Sequence, residues 1–292
     1  MTEQTTLDKE KIHQEVRKAY AGRVTAATES ADESCCSCSC GDGASVEESA
    51  LRMGYSAEDL EAVPEGANLG LGCGAPLTHA RVQPGETVLD LGSGAGFDAF
   101  IAARAVGPEG RVIGVDMTPE MVAKAEQNAV ASGVTNTDFR LGQIESLPVA
   151  DAEVDVIVSN CVINLSPDKP AVFREAFRAL KPGGRLAVSD IVLTAPLPER
   201  VANSIAAYVG CLAGASLLDD YLQAVHEAGF EEVEVAESRP ALEALSLDDP
   251  MTRAVLDELG AASPEELSFD LAAVAASVVS AKVVAVKPHT PS

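Results

Sequence analysis

The stretch ETVLDLGSGAGFDAFIAARAVGPEGRVIGVDM, residues 86 to 117, decides the fold. Its opening TVLDL is a short apolar run that stops at a glycine-rich turn, which is the pattern of a buried strand. An alanine-rich segment from Phe97 then reads as a helix, and RVIGVD as a second strand, so the whole is a βαβ unit. In open α/β sheets ligands bind beyond the carboxyl ends of the strands, beside the first such turn.

The turn is Asp90-Leu91-Gly92-Ser93-Gly94-Ala95-Gly96. A dinucleotide fingerprint needs G-x-G-x-x-G, but its last position here is Phe97 and the spacing is G-x-G-x-G. Asp90, at the strand end, places a carboxylate where a pyrophosphate would be repelled and an ammonium group attracted. Asp116 ends the next strand, roughly 20 residues beyond the turn, where a carboxylate reaches ribose hydroxyls. The pair favours S-adenosylmethionine (SAM), which carries an ammonium group, over NAD. Ile144 and Glu145 in GQIESLP, just after the third strand, are expected at the adenine edge.

Working outward, TPEMVAKAEQNAVAS opens on Thr118 and Pro119 as a helix start. DFRL and VDVIVSN follow as strands, DKPAVFREAFRAL as a helix with Ser166-Pro167 as its start, and RLAVSDIVL as a strand after the KPGG turn. This alternation predicts an α/β fold with a mostly parallel sheet covered by helices on both faces. Residues 1–48 are expected to form an N-terminal helix, over 7–22, and a mobile Cys-rich loop. Residues 49–237 form the SAM-binding domain, with ANSIAAYVGCLAGA helical, and 238–292 a C-terminal helical cap and the last strand, VVSAKVVAV.

Composition narrows the ligand class. Asp plus Glu number 45 against 21 Lys plus Arg, a net charge of −24 that repels polyanions and excludes nucleic acid as a partner. Trp is absent and aromatics are 4%, so base-stacking platforms are not expected either. The N-terminus MTEQTTLDKEK lacks a signal-peptide core, and LAAVAASVVSA stops at Lys282, short of a membrane span. The reading is cytoplasmic, without a membrane partner. Seven cysteines in a reducing compartment point to metal, metalloid or catalytic use, although any one of them alone is more often core packing.

Six motifs, GANLGLGCGAP, DLGSGAGFD, VIGVDMTPEMV, SNCVINLSPDK, LKPGGRL and GCLAGA, together resemble the arsenite methyltransferases over roughly residues 50 to 235 and again at the terminal strand. The resemblance implies a Rossmann-like class I SAM-dependent methyltransferase fold with a mostly parallel seven-stranded sheet, in which Cys73, Cys161 and Cys211 bind trivalent arsenic before the SAM methyl group. It implies a cofactor pocket of Asp90, Gly92, Ser93, Gly94, Gly96, Asp116, Met117, Ile144, Glu145 and Asn160. Arsenite or its thiol conjugates would be the substrate, and thioredoxin or glutathione the reductant. Soft thiolates suit a thiophilic centre, so the chemistry agrees. The N-terminal Cys35, Cys36, Cys38 and Cys40 have three readings: arsenic uptake, with Cys36 or Cys40 the candidates, a soft-metal tail, or incidental thiols. The chain after Glu237 departs from the family's usual tail. Two other functions stay open, a SAM-dependent methyltransferase of another small molecule and a non-catalytic metalloid-binding protein.

Overall fold

The computed structural model describes residues 9–29, 46–241 and 270–289, with single residues between 253 and 266. Seven strands form one sheet: β1 (Thr87–Leu91), β2 (Arg111–Asp116), β3 (Thr137–Leu141), β4 (Val154–Asn160), β5 (Leu180–Leu193), β6 (Glu231–Pro240) and β7 (Val278–Val286), in the order β3-β2-β1-β4-β5-β7-β6. Strands β1 to β5 pair in parallel, and β7 lies antiparallel between β5 and β6. The helices are α1 (Lys9–Glu29), α2 (Val46–Met53), α3 (Ala57–Glu61), α4 (Leu77–Ala80), α5 (Phe97–Val106), α6 (Pro119–Ser132), α7 (Lys169–Ala179), α8 (Glu199–Ala202), α9 (Ile205–Val209), α10 (Leu218–Glu227) and α11 (Leu271–Ser277).

The strand period of two sorts the core into two layers. Val88, Val112, Val156 and Val158 face α5 and α6, packing with Phe100, Ala103 and Ala125. Leu89, Leu91, Ile113 and Ile157 face the opposite layer, where Phe173 of α7 and Tyr221 of α10 meet edge to face with centroids 5.2 Å apart. Burial on both faces is why the inner strands read as nearly unbroken apolar runs.

Several expected boundaries shift. Helix α1 runs to Glu29 instead of ending near residue 22, and buries Ile12 and Val16 against Leu165, Tyr208 and Cys211. The segment expected as one helix, ANSIAAYVGCLAGA, is broken: α9 stops at Val209, and Cys211 adopts a left-handed φ of 64° that no continuing helix permits. Helix α7 starts after Asp168, whose carboxylate caps the Ala171 N–H at 3.1 Å, with Pro170 in the first turn. Ser166 lies two residues ahead of that cap, its hydroxyl accepting the Asp168 N–H at 3.1 Å and donating to Glu145. The boundary drawn after Glu237 falls inside β6, so the sheet continues across it. Much of the expected acidic cap lies outside the described residues. No helix among the described residues is long and apolar enough to cross a membrane.

Candidate active site

The strand order reverses between β1 and β4, and a cleft opens beyond their carboxyl ends, where such folds bind ligands. Asp90, Gly92, Ser93, Gly94, Asp116, Met117, Ile144, Glu145, Asn160 and Cys161 line it, and α1 closes one side with His13, Val16 and Tyr20. Gly96 does not line the cleft. It starts α5 at a φ of 97°, where a Cβ would come within 2.6 Å of Phe100. Gly92, with a φ of 67°, could not carry a Cβ either, because Val162 occupies that space. The Gly94 N–H donates to Asp116 Oδ2 at 3.0 Å and Thr118 N–H to Oδ1 at 2.8 Å, so Asp116 ties the glycine turn to the end of β2.

The residues present fit SAM. Asp90 is 2% exposed, and its Oδ2 has no hydrogen-bond partner. Burial, and then the charges of Asp98 and Asp116, push its pKa well above the usual carboxylate range. A buried carboxylate with an empty valence facing a cleft is a receptor for a cation. Asp98, in the first turn of α5, lines the same cleft and is pushed up to about 6, chiefly by burial.

The three thiols converge behind the cleft. Cys161 leaves β4 at a left-handed φ of 61°, its N–H donating to the Ser189 carbonyl at 2.8 Å. The Cys73 and Cys161 sulfurs lie within 4.8 Å of each other, and interaction with the Cys211 and Cys73 thiols, together with burial, holds the Cys161 pKa well above the usual thiol value. Cys211 donates from Sγ to the Cys161 carbonyl at 3.0 Å. Cys73 donates from Sγ to the Ser189 carbonyl at 3.3 Å and is raised chiefly by burial. Its loop threads between the ends of β4 and β5: a Cβ at Gly72 would fall 2.9 Å from Asn160 Nδ2, and one at Gly74 would strike Ser189 Oγ. Raised pKa values keep Cys73 and Cys161 as neutral thiols at pH 7. Only Cys161 touches the cleft, with Cys73 and Cys211 standing behind it.

Asp190, Asp98 and Tyr55 were not singled out from the sequence. Asp190 is fully buried, with one oxygen within 4.8 Å of the Cys73 and Cys161 sulfurs. Burial pushes it up to about 7 despite the Lys169 charge, and Asn164, the Ile191 N–H and Tyr221 all donate to it. Asn164 also donates to the Ile191 carbonyl at 2.6 Å. A lone acid inside the apolar run LAVSDIVL was the available signal for Asp190. Cys35, Cys36, Cys38 and Cys40 lie outside the described residues.

The family model described as a methyltransferase domain matches residues 83–229. Fold and glycine turn together define a class I SAM-dependent methyltransferase. The solved arsenic(III) S-adenosylmethionine methyltransferase of Chlamydomonas reinhardtii is 31% identical, with a TM-score of 0.59 covering 85% of this chain and 74% of that one. The arsenite methyltransferase of Halobacterium salinarum is 49% identical over 248 residues, 82% of this chain and 62% of the relative. That of Aquipseudomonas alcaligenes is 44% identical over 176 residues, 58% of this chain and 50% of the relative. The chain belongs to the arsenite methyltransferase family. It spans between half and two thirds of the length of these two curated relatives.

Proposed function

We propose that the protein is an arsenite methyltransferase that moves a methyl group from SAM to trivalent arsenic held by Cys73, Cys161 and Cys211. The observation that carries this reading is the gathering of the Cys73 and Cys161 sulfurs within 4.8 Å, with Cys211 Sγ bonded to the Cys161 carbonyl, at the edge of a cleft that also holds the unpartnered Asp90 oxygen. Asp90 takes the cofactor's ammonium group, Asp116 its ribose, and Ile144 and Glu145 its adenine edge, with Gly92, Gly94 and Gly96 keeping the turn free of side chains. Bound SAM supplies an electrophilic sulfonium methyl group.

The substrate is arsenous acid or a thiol conjugate of it. Each cysteine replaces one oxygen on arsenic: an As–S bond forms, an As–O bond breaks, and the thiol proton leaves with the hydroxyl as water. Neutral thiols and a neutral acid combine without a charge being buried, so the raised thiol pKa values do not oppose binding. Arsenic keeps its lone pair, the nucleophile, and no side chain need remove a proton from it. Catalysis is then positioning of a reacting pair. Return of methylated arsenic to the trivalent state needs two electrons, which two site thiolates supply by joining as a disulfide. A thiol reductant of the thioredoxin or glutathione class restores them, which places the protein in the cytosol. Cys36 or Cys40 would assist arsenic uptake.

The test is incubation with arsenite, SAM and a thiol reductant, followed by separation of arsenic species. Methylated arsenic is expected, and serine at Cys161 or Cys211 removes it while cofactor binding persists. Methyl transfer that survives both substitutions defeats the assignment and favours another acceptor. Arsenite binding without any methylated product favours a metalloid-binding protein.

A further inference from the structure

One hydrogen-bonded chain joins the cofactor end of the cleft to the Cys73 loop. The Tyr55 hydroxyl donates to Asp98 Oδ1 at 2.7 Å. Asn160 Nδ2 shares its two hydrogens among three acceptors, Asp98 Oδ2 at 3.0 Å, the Tyr55 hydroxyl oxygen at 2.8 Å and the Gly74 carbonyl at 2.8 Å. On its other side Asn160 Oδ1 accepts the Cys73 N–H at 3.0 Å. Asn160 thus holds the peptide groups on both sides of the Cys73 thiol while touching a carboxylate that lines the cofactor cleft.

Tyr55 is built into this place. Its ring packs edge-on against Phe97, with centroids 4.9 Å apart, and the next residue after Phe97 is Asp98. Ser56 and Asp59 form a reciprocal capping box at the start of α3, which fixes the backbone just after Tyr55. The hydroxyl is 2.7 Å from Asp98 in a buried setting, where a hydrogen bond to a carboxylate is strong.

We infer that Tyr55, Asp98 and Asn160 are positioning residues through which an occupied cofactor cleft fixes the Cys73 loop, so that cofactor and trivalent arsenic bind with positive cooperativity. This rests on the arsenite reading above. Asp98 and Asp90 share the cleft as uncompensated acids; a ligand ammonium there favours the charged Asp98, which grips the Tyr55 hydroxyl and the Asn160 amide harder. Asn160 then orders Gly74 and Cys73, lowering the cost of placing the third thiol. By linkage, arsenic on the thiols must tighten cofactor binding by the same factor.

The test is isothermal calorimetry, suited to a chain without tryptophan. Arsenite is titrated into the full chain, carrying serine at positions 35, 36, 38 and 40 to remove competing thiols, with and without saturating S-adenosylhomocysteine. This probe keeps the ammonium and lacks the transferable methyl group. The expected result is arsenite binding tightened about 5-fold or more by the probe. In Tyr55→Phe, which keeps the ring contact with Phe97, the enhancement falls towards 1 while each ligand alone binds within about 3-fold of the parent. Asn160→Asp, which turns the donor towards Asp98 into an acceptor, is read by the enhancement ratio alone because Asn160 lines the cofactor cleft; the ratio falls towards 1 there too, so the variant serves if the first does not fold. Arsenite binding with no enhancement in the parent, or an enhancement retained in both variants, overturns the relay. Absence of any arsenite binding overturns the functional reading itself, and the relay with it.

Discussion

Glycine and alanine at position 161 separate the backbone of the site from its chemistry. Cys161 and Cys211 hold φ values of 61° and 64°, a region where a Cβ crowds the backbone. The left-handed conformation costs an L residue about 1–2 kcal/mol, whereas glycine adopts it freely. Glycine in turn loses about 0.5–1 kcal/mol more than alanine in conformational entropy on folding. Both replacements delete the same sulfur, so the lost contacts cancel in the comparison. Cys161→Gly is therefore expected to be more stable than Cys161→Ala by about 0.5–1 kcal/mol, the reverse of the order in a regular helix or strand. The same inversion is expected at Cys211. Urea unfolding with unchanged m-values measures the difference from the two midpoints. Alanine equal to or better than glycine at both positions would refute the claim that the site stores strain. Both variants lose arsenic, since neither restores a thiol. Strain at two cysteines that meet is the pattern expected where side-chain aim matters more than stability.

The remaining expectations test the charge and packing of the site. Asp90→Asn removes a buried carboxylate whose Oδ2 is unpartnered, so the ligand-free chain should become more stable in thermal unfolding while S-adenosylhomocysteine affinity falls at least about 10-fold; tighter binding would refute the ammonium assignment. Asp98 and Asp190 rise in the folded state to about 6 and about 7, so the native chain holds protons that the unfolded chain releases above about pH 4. Their stabilising contribution is complete below that value and is lost as pH rises through 6 and 7, a few kcal/mol in all. Asp138, Asp168 and Glu175 are lowered by Arg or Lys partners, and their contribution is lost below about pH 4. Maximum stability should thus fall near pH 4, with unfolding free energy declining from pH 5 to 8 and declining less with S-adenosylhomocysteine bound; a rise over that interval contradicts the sign. Gly74→Ala puts a methyl onto Ser189 Oγ, and arsenite affinity should drop and recover in part when Ser189 is also changed to Gly; equal affinity in the single variant would mean that the Cys73 loop is not held there.

The βαβ unit was legible because its signals are local: strand, glycine turn and helix follow one another within a single stretch, and each position has a backbone reason. Asp90 and Asp116 were legible for the same cause, being strand ends beside that turn. Cys161 could be placed after β4 by counting along the alternation, but its convergence with Cys73 and Cys211 came from resemblance, since no local rule brings residues 73, 161 and 211 together. Tyr55 escaped notice because its role exists only through Asp98 and Asn160, which are 43 and 105 residues away. The broken helix around Cys211 was hidden for another reason. Alanine-rich sequence favours a helix there, and Gly210, on which α9 ends, was a local stop signal easily passed over beside it.

The two ends of the site are electrically different, and that difference orders the chemistry. At the glycine turn, Asp90 and Asp98 are buried near one another without a lysine or arginine among the described residues that line the cleft, so the folded chain carries a cost that a cationic ligand offsets. At the thiol end Cys73 and Cys161 are neutral, and their nearest carboxylate, Asp190, has the Lys169 charge nearby. An anion would be disfavoured at both ends, while a neutral trivalent acid meets no electrostatic barrier at the second. On the proposed reading, a chain of net charge −24 would thus select a cation and a neutral metalloid species side by side, with Asn160 the one described residue bonded both to a cleft acid and to the Cys73 backbone.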